Sequence, residues 1–363
     1  MTDNTVWLLA HAGAVIRYIL TGEGAAEAAE NAEAQAWLAR LGERAATETL
    51  GAIHGSHDYR MENILGKCAV LGLTRDMPAL AESTAFLLRF LDKHTQRDDS
   101  AEPLSFGGIY ANHDYETVLA CFLPMLGYTG HEAVRRIARK RLELLYGFTR
   151  QNRYDIYMDG AACKSVPAAW RARIIDPALY ADGNIALPTV HDLILFAGMM
   201  NDFTPAEHDM AENIVSWVMW EDCRRLGGRY GYFYVPGGSY NAKSIVRGLH
   251  LADLHTPAPD KGDLTALVYQ CWLLAHFTAG RGSEWFALAM AYLEQSRTEE
   301  GRYRFPPHML AEKPDAYVTN GGHMNAGEDR RGKQYREILS TFWTERIRRA
   351  MEKGRDANEM GHS

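Results

Sequence analysis

The chain has 363 residues, of which 47% are hydrophobic and 23% are charged, as is ordinary for a globular protein that can bury a large core. Its formal net charge of −7 at pH 7 argues against a general affinity for nucleic acids or anionic membranes. The five cysteines are odd in number and lack CxxC spacing, which argues against a disulfide framework and a cysteine zinc cluster.

The N-terminal segment predicts a cytoplasmic protein. It begins Met-Thr-Asp and carries no basic segment of the kind that opens a secretory signal. The apolar run at residues 6–20 is interrupted by His11 and Arg17, so it is too short and too polar to cross a bilayer. We expect no membrane partner.

Apolar residues at helical spacing predict an all-α protein. Two N-terminal helices are expected, and then four pairs in which a mostly apolar helix precedes a more polar one. A single domain is expected over residues 1–353, with a frayed tail over 354–363. The predicted helices cover 4–20, 25–48, 59–73, 79–93, 115–126, 131–148, 191–201, 205–221, 263–278, 283–295 and 336–353.

The connections between these helices are uneven in length. Turns within a pair take about four to eight residues, whereas the return to the next apolar helix is much longer. Long loops inside a compact domain are usually functional, and each of these ends where an apolar helix begins. We therefore predict that the long loops and the N-termini of the apolar helices share one face, and that the functional site lies there.

An inner ring of apolar helices inside an outer ring of amphipathic ones resembles the α/α toroid of the terpenoid cyclase and prenyltransferase superfamily. The helix pairs between residues 58 and 296 carry this resemblance, which implies one toroid domain with a central cavity. The segment 175–180 (IDPALY) is similar to one in the linalool dehydratase-isomerase group, which implies acid–base chemistry. The chain departs from class II cyclases because it lacks their DxDD motif and the QxxxGxW repeat.

A His-Asp pair recurs at the start of three apolar helices, at residues 57–58, 113–114 and 191–192. A carboxylate beside an imidazole fixes its tautomer and raises its basicity, as a general base requires. The alternative is structural, because acidic and hydroxyl side chains such as Asp58 or Ser56 also cap helix N-termini. We predict four catalytic residues: His57 and His113 as candidate bases, with Asp58 and Asp114 orienting them.

Other polar residues on the same face are candidates for substrate binding. Tyr240 belongs to a segment rich in glycine and aromatic residues (227–241) that predicts a small β-hairpin or a lid, and His323 follows two glycines before the last helix. Tyr59 or Tyr115 is expected to donate to a substrate oxygen. The full set is His54, Tyr59, Glu62, Asn112, Tyr115, Glu116, His191, Asp192, Tyr240 and His323.

The leading hypothesis is an enzyme that uses cofactor-free acid–base chemistry, as a lyase, hydratase, isomerase or cyclase does, on a small oxygen-bearing substrate. One alternative is a carbohydrate-active hydrolase or lyase, with Trp170 and Trp272 stacking on sugars. Another is a metal-dependent enzyme with His57, His113 and His191 as ligands. The last is a toroid that binds a ligand without catalysis. We expect no cofactor, while a divalent metal and a homo-oligomer stay open.

Overall fold

The computed structural model describes residues 2–95, 111–180, 185–226, 228–234, 242–244, 248–256 and 259–361. Of the helical residues, 94, 95, 111–114 and 354–361 are described without their side chains. The described chain is mostly helical, which confirms the predicted all-α class. Across these residues, no helix combines the length and the apolar character that a bilayer span requires.

The helices are short and are numbered in chain order. They are α1 (Asp3–His11), α2 (Ala14–Thr21), α3 (Ala25–Ala29), α4 (Ala32–Ala46), α5 (Met61–Val70), α6 (Pro78–Thr95), α7 (Ala111–Ala120), α8 (Glu132–Thr149), α9 (Ala168–Arg171), α10 (Val190–Met199), α11 (Pro205–Met219), α12 (Glu221–Leu226), α13 (Lys261–Leu264), α14 (Leu267–Leu274), α15 (Thr278–Arg281), α16 (Glu284–Glu294) and α17 (Tyr335–Gly361). Short 3-10 helices cover Gly160–Ala162, Pro177–Leu179, Pro307–Leu310 and Val318–Asn320.

Two short strands form the predicted β-hairpin. Strand β1 (Tyr232–Tyr234) pairs antiparallel with β2 (Ala242–Ser244), and Phe233 lies opposite Lys243. Phe233 is buried and packs against the ring of Tyr180, with the ring centroids 4.6 Å apart. The hairpin is therefore fastened to the helical core through its central residue.

Two predicted helices are interrupted near the N-terminus. The helix predicted over 4–20 is split between α1 and α2, where Gly13 has an extended backbone and donates its N–H to Glu328 Oε1 at 2.6 Å. The helix predicted over 25–48 is split because the side chain of Asn31 accepts from the N–H groups of Glu33 and Ala34 and so starts α4 afresh. At the other end, α17 continues as a helix to Gly361, into the segment expected to be a tail.

Three of the predicted apolar helices are buried almost throughout. Every residue of α5 and of α14 is buried, as is every residue of α10 except Gly198. A helix that is apolar all round must be surrounded by other elements, whereas an amphipathic helix buries one face. Helices α5, α10 and α14 therefore form the centre of the fold, and the more amphipathic α8 and α11 lie outside it.

The helices contact one another in two series that follow the chain. In the first series α5 contacts α7, α7 contacts α10, α10 contacts α14, and α14 contacts α17. In the second, α4 contacts α6, α6 contacts α8, α8 contacts α11, and α11 contacts α15. Arg346 of α17 donates to the carbonyls of Val70 and Ala69 at the end of α5, at 2.7 and 2.9 Å, and so connects the last helix of the first series to the first helix.

Candidate active site

A cavity of about 440 Å³ lies against the start of α10, the start of α14 and the loop that precedes α5. Its lining comes from the loop before α5, the first turn of α10, residues between 248 and 270, and the loop 311–322. This volume suits a small organic molecule. The prediction that the functional site lies at the N-terminal ends of the apolar helices stays a prediction.

Glu62 is the buried centre of a three-residue cluster at this cavity. It lies in the first turn of α5, and its side chain is fully buried. Oε2 of Glu62 accepts a hydrogen bond from Nδ1 of His54 at 2.5 Å, and Oε1 accepts one from Nε2 of His191 at 2.9 Å. Because an ionised carboxylate can only accept, each imidazole donates from the nitrogen that faces it.

Glu62 is ionised at neutral pH. Burial alone would raise its pKa, but the charges and hydrogen bonds of His191 and His54 outweigh burial and lower the pKa to about 2. The N-terminal end of α5 carries a partial positive charge, which further favours a carboxylate in its first turn. The cluster therefore consists of one fixed negative charge that orients two imidazole rings.

The two histidines differ in exposure, yet both line the cavity. His54 is 31% exposed, and its ring lies 5.7 Å from the ring of His191 and 5.3 Å from that of Tyr317, measured between centroids. His191 is 2% exposed, and among the described residues its Nδ1 contacts no hydrogen-bond partner. With Nε2–H held by Glu62, a neutral His191 ring presents Nδ1 as an acceptor.

The same three side chains also form a candidate metal site. One nitrogen from His54, one from His191 and one oxygen of Glu62 all lie within 4.8 Å of one another. Two imidazoles and one carboxylate form a donor set that zinc and iron accept. The predicted metal ligands were His57, His113 and His191, and the structure instead groups His191 with His54 and Glu62.

His57 does not line this cavity. Its Nδ1 donates to Asp315, its ring stacks on Tyr59 with the centroids 5.1 Å apart, and its side chain is 43% exposed. Tyr59 is itself exposed. The structure therefore separates His57 and Tyr59 from Glu62, although the partner of His57, Asp315, is a lining residue of the cavity.

Asp58 and His323 lie instead at a second cavity of about 320 Å³. Asp58 pairs with Arg40 at 2.9 Å, and because α5 begins after Arg60, neither Ser56 nor Asp58 caps it as the alternative hypothesis expected. The ring of His323 contacts Glu312 at 3.2 Å and the Ala316 carbonyl at 3.0 Å. Burial lowers the pKa of His323 to about 4, with Lys67 adding to the effect.

Asp192 has a structural role. Its carboxylate accepts from Nε of Arg141 at 2.8 Å and from Nη2 at 3.1 Å, and it forms a capping box with Thr189 at the start of α10. Arg141 is only 5% exposed, so both partners of this ion pair are buried. The adjacent residues His191 and Asp192 thus have separate partners.

The structure describes the side chains of only some of the remaining predicted site residues. Tyr115 and Glu116 lie half-buried in α7, and Tyr115 packs against the core. The side chains of Asn112, His113 and Asp114 lie outside the described residues, as does the whole of Tyr240. The predicted roles of these four residues stay predictions.

Two polar residues in the cavity wall were not among the site residues predicted from the sequence. Gln270 lies within the apolar helix α14, is 4% exposed, and donates from Nε2 to the carbonyl of His250 at 2.5 Å. Asp263 lies 3.2 Å from Nε2 of His250. The signal that could have indicated Gln270 is a single amide side chain inside an otherwise apolar helix.

Lys67 is a buried cation on the other side of α5. Its Nζ lies 2.6 Å from Glu33, 2.8 Å from Glu312 and 2.7 Å from the carbonyl oxygen of Asn325. Burial lowers its pKa to about 8, although Glu33 opposes the change. Glu62 and Lys67 are five residues apart, which turns them about 140° from each other on a helix, so α5 separates two polar clusters.

Comparisons with protein-family models, with curated proteins and with solved structures gave no match for this chain. The resemblance to the α/α toroid superfamily therefore stays a prediction, and the candidate function depends on the geometry of the site.

Proposed function

We propose that the protein is an enzyme that uses cofactor-free general acid–base chemistry on a small oxygen-bearing organic substrate in the 440 Å³ cavity. The observation that carries this proposal is the buried carboxylate of Glu62, which accepts a hydrogen bond from each of two imidazoles that line the cavity. Fixed imidazoles of this kind are suited to move protons. The proposed class is a lyase, hydratase, isomerase or cyclase.

In this proposal His54 is the general base. Glu62 holds Nδ1–H of His54, which fixes the tautomer in which Nε2 is the basic nitrogen, and the negative charge stabilises the imidazolium that forms when Nε2 takes a proton. His191 is held by the other oxygen of the same carboxylate. With its Nε2–H held by Glu62, the neutral ring of His191 accepts a hydrogen bond from the substrate at Nδ1 and so orients it, while His54 returns the proton that its Nε2 has taken up.

We further propose that the domain is an α/α toroid. Two features support this architecture: the contact series of α5, α7, α10, α14 and α17 follows the chain, and Arg346 joins its two ends. The second series runs through the more amphipathic helices, as an outer ring would. In such a toroid the 440 Å³ cavity would be the mouth of the inner ring at its N-terminal end.

A metal-dependent enzyme is the second candidate, because His54, Glu62 and His191 bring three ligand atoms within 4.8 Å of one another. Elemental analysis of protein purified without a histidine tag separates the two candidates. One equivalent of zinc, iron or manganese, lost in the Glu62→Gln variant, would favour the metal enzyme. Protein that turns substrate over without bound metal would favour acid–base chemistry.

Turnover by the Glu62→Gln variant tests the acid–base proposal directly. The amide has nearly the same shape but no charge, so it no longer stabilises a protonated His54, and we expect kcat to fall by about 10² to 10⁴. Glu221→Gln is the matched control, because Glu221 is exposed and pairs with Arg225 outside the cavity. The substrate for this assay is to be found by screening small oxygen-bearing compounds. A Glu62→Gln variant with the wild-type kcat would overturn the proposal.

A further inference from the structure

Two buried acceptor atoms in the cavity wall contact no hydrogen-bond partner within the described part of the chain. They are Oε1 of Gln270 and Nδ1 of His191. The two residues are 4% and 2% exposed, and both line the 440 Å³ cavity. Buried polar groups in folded proteins are nearly always paired, so two unpaired groups in one cavity point to a bound molecule.

The neighbours of these two atoms fix their chemical identity. Nε2 of Gln270 lies 2.5 Å from the carbonyl oxygen of His250, and since a carbonyl only accepts, the amide nitrogen must occupy that position and Oε1 the other. Nε2 of His191 faces the carboxylate of Glu62, so its proton is there and Nδ1 of the neutral ring accepts. Both atoms therefore require hydrogen-bond donors from the ligand.

The charges of the lining favour a neutral ligand. Lys313 is the one permanent cation among the described lining residues, and it is outnumbered by Asp263 and Asp315. An anionic ligand would meet more negative than positive charge. Asp263, which lies 3.2 Å from His250, and Asp315, which accepts from His57, each already have a hydrogen-bond partner, so neither requires a cationic ligand.

The rest of the lining suits a ring that carries several hydroxyl groups. Thr265, Thr319 and Asn320 add further groups that can accept hydrogen bonds. The half-buried ring of Tyr317 and the side chains of Val190 and Leu249 add apolar surface that the C–H faces of such a ring can contact.

We infer that the cavity binds a neutral polyhydroxylated small molecule of the sugar or cyclitol class, whose hydroxyl groups donate to Oε1 of Gln270 and Nδ1 of His191. The inference rests on the proposed function, since it names the substrate class of the same site. It depends in addition on Gln270 of α14, which has no role in the proposed acid–base chemistry.

Binding measurements on the full-length protein test this inference. The probes are D-glucose and myo-inositol as neutral polyols, D-gluconate as an anionic polyol, and cyclohexanol as a ring with one hydroxyl group. Isothermal titration calorimetry or ligand-observed NMR gives each dissociation constant. We expect the neutral polyols to bind at least about tenfold more tightly than gluconate or cyclohexanol, which corresponds to one or more additional hydrogen bonds. Tightest binding of gluconate or cyclohexanol, or no saturable binding of either neutral polyol, would overturn the inference.

The Gln270→Leu variant locates the binding. We expect it to raise the dissociation constant of the neutral polyols about tenfold, because the acceptor is lost. Gln151→Leu is the matched control, since Gln151 is exposed and also donates to a backbone carbonyl, that of Gly147 at 2.8 Å. Equal affinities of the two variants would place the polyol elsewhere. If the Gln270→Leu variant does not fold, the dissociation constants of the wild-type protein for the four probes still test the inference.

The Glu62→Gln variant separates this inference from the proposed function. If polyols bind and this variant turns substrate over like the wild type, the acid–base proposal fails while the substrate class stands. If turnover depends on Glu62 but acts on an anionic or monohydroxylated compound, only the substrate class fails.

Discussion

Nε2 of His191 donates to Oε1 of Glu62 at 2.9 Å, although 129 residues separate the two in the chain. The bond joins the first turn of α5 to the first turn of α10, and both side chains are buried. Without such partners burial would raise the pKa of this carboxyl group and disfavour its ionised form. The contact therefore stabilises the fold and sets the charge of the candidate site at the same time.

The pKa of Glu62 predicts a specific loss of stability in acid. Its folded-state pKa of about 2 lies below the ordinary 4.5, so the unfolded chain takes up a proton first as the pH falls. The stabilising contribution is fully present above pH 4.5 and is lost between pH 4.5 and about 2. This difference in pKa corresponds to about 3 kcal/mol.

Denaturant unfolding of the wild type and of Glu62→Gln between pH 6 and pH 2 measures this contribution. We expect the free energy of unfolding of the wild type to fall by about 3 kcal/mol more than that of the variant over this range. Other carboxylates titrate in both proteins and cancel in the comparison. If the free energies of unfolding of the two proteins changed in parallel with pH, the histidine partners would not lower the pKa of Glu62.

The ion pair of Arg141 with Asp192 predicts a large effect of a single substitution. Arg141→Met leaves a buried carboxylate without its cation, and we expect a loss of about 3 to 5 kcal/mol in the free energy of unfolding. Arg139→Met is the matched control on the same helix, because Arg139 is 56% exposed and its pair with Glu207 contributes at most about 1 kcal/mol. Urea unfolding of both variants at pH 7 checks this, and similar losses would contradict it.

Lys67 predicts a second rise of stability with pH, at alkaline pH. Its folded-state pKa of about 8 lies below the ordinary 10.5, mainly because it is buried, so between these values the unfolded chain binds a proton that the folded chain has released. Stability from this group therefore rises as the pH increases from about 8 to 10.5, by about 3 kcal/mol. Unfolding measured across this range should show the rise in the wild type.

The Lys67→Met variant is the control for this rise. Because it leaves Glu33 and Glu312 without their buried cation, it is best combined with Glu33→Gln and Glu312→Gln, which remove the two unpaired charges. We expect the triple variant to fold and to lack the alkaline rise. A rise of the same size in the triple variant would assign it to other groups.

The helices that were predicted correctly from the sequence were predicted for one physical reason. Helices α5, α10 and α14 were predicted from their apolar residues at helical spacing, because a helix surrounded by other elements carries apolar side chains at most of its positions. The breaks at Gly13 and Asn31 were missed, since they depend on Glu328 and on a local cap inside a segment of good helix formers. The spacing of apolar residues therefore predicts how deeply a helix is buried better than it predicts where the helix begins and ends.

The candidate site shows the same limit. The sequence indicated His54, Glu62 and His191, but assigned the catalytic roles to the His-Asp pairs because adjacency in the chain was the visible signal. In the structure the partner of His57 is Asp315, and the partner of Asp192 is Arg141. Neither partner is near in sequence, and side chains that are adjacent in the chain point in different directions, so only the folded chain could reveal these pairs.

Turnover of His54→Ala and His57→Ala decides between the sequence-based and the structure-based assignment of the base. Both histidines are paired with carboxylates, but His54 lines the cavity with its partner fully buried, whereas His57 lies outside the lining and is 43% exposed. We expect His54→Ala to lower kcat by at least about 10², and His57→Ala to lower it by less than about tenfold. His208→Ala, on α11 and outside the cavity lining, controls for the loss of an imidazole. The reverse order, with His57→Ala the more damaging change, would restore the sequence-based assignment and place the proton transfer at the Asp315 side of the cavity.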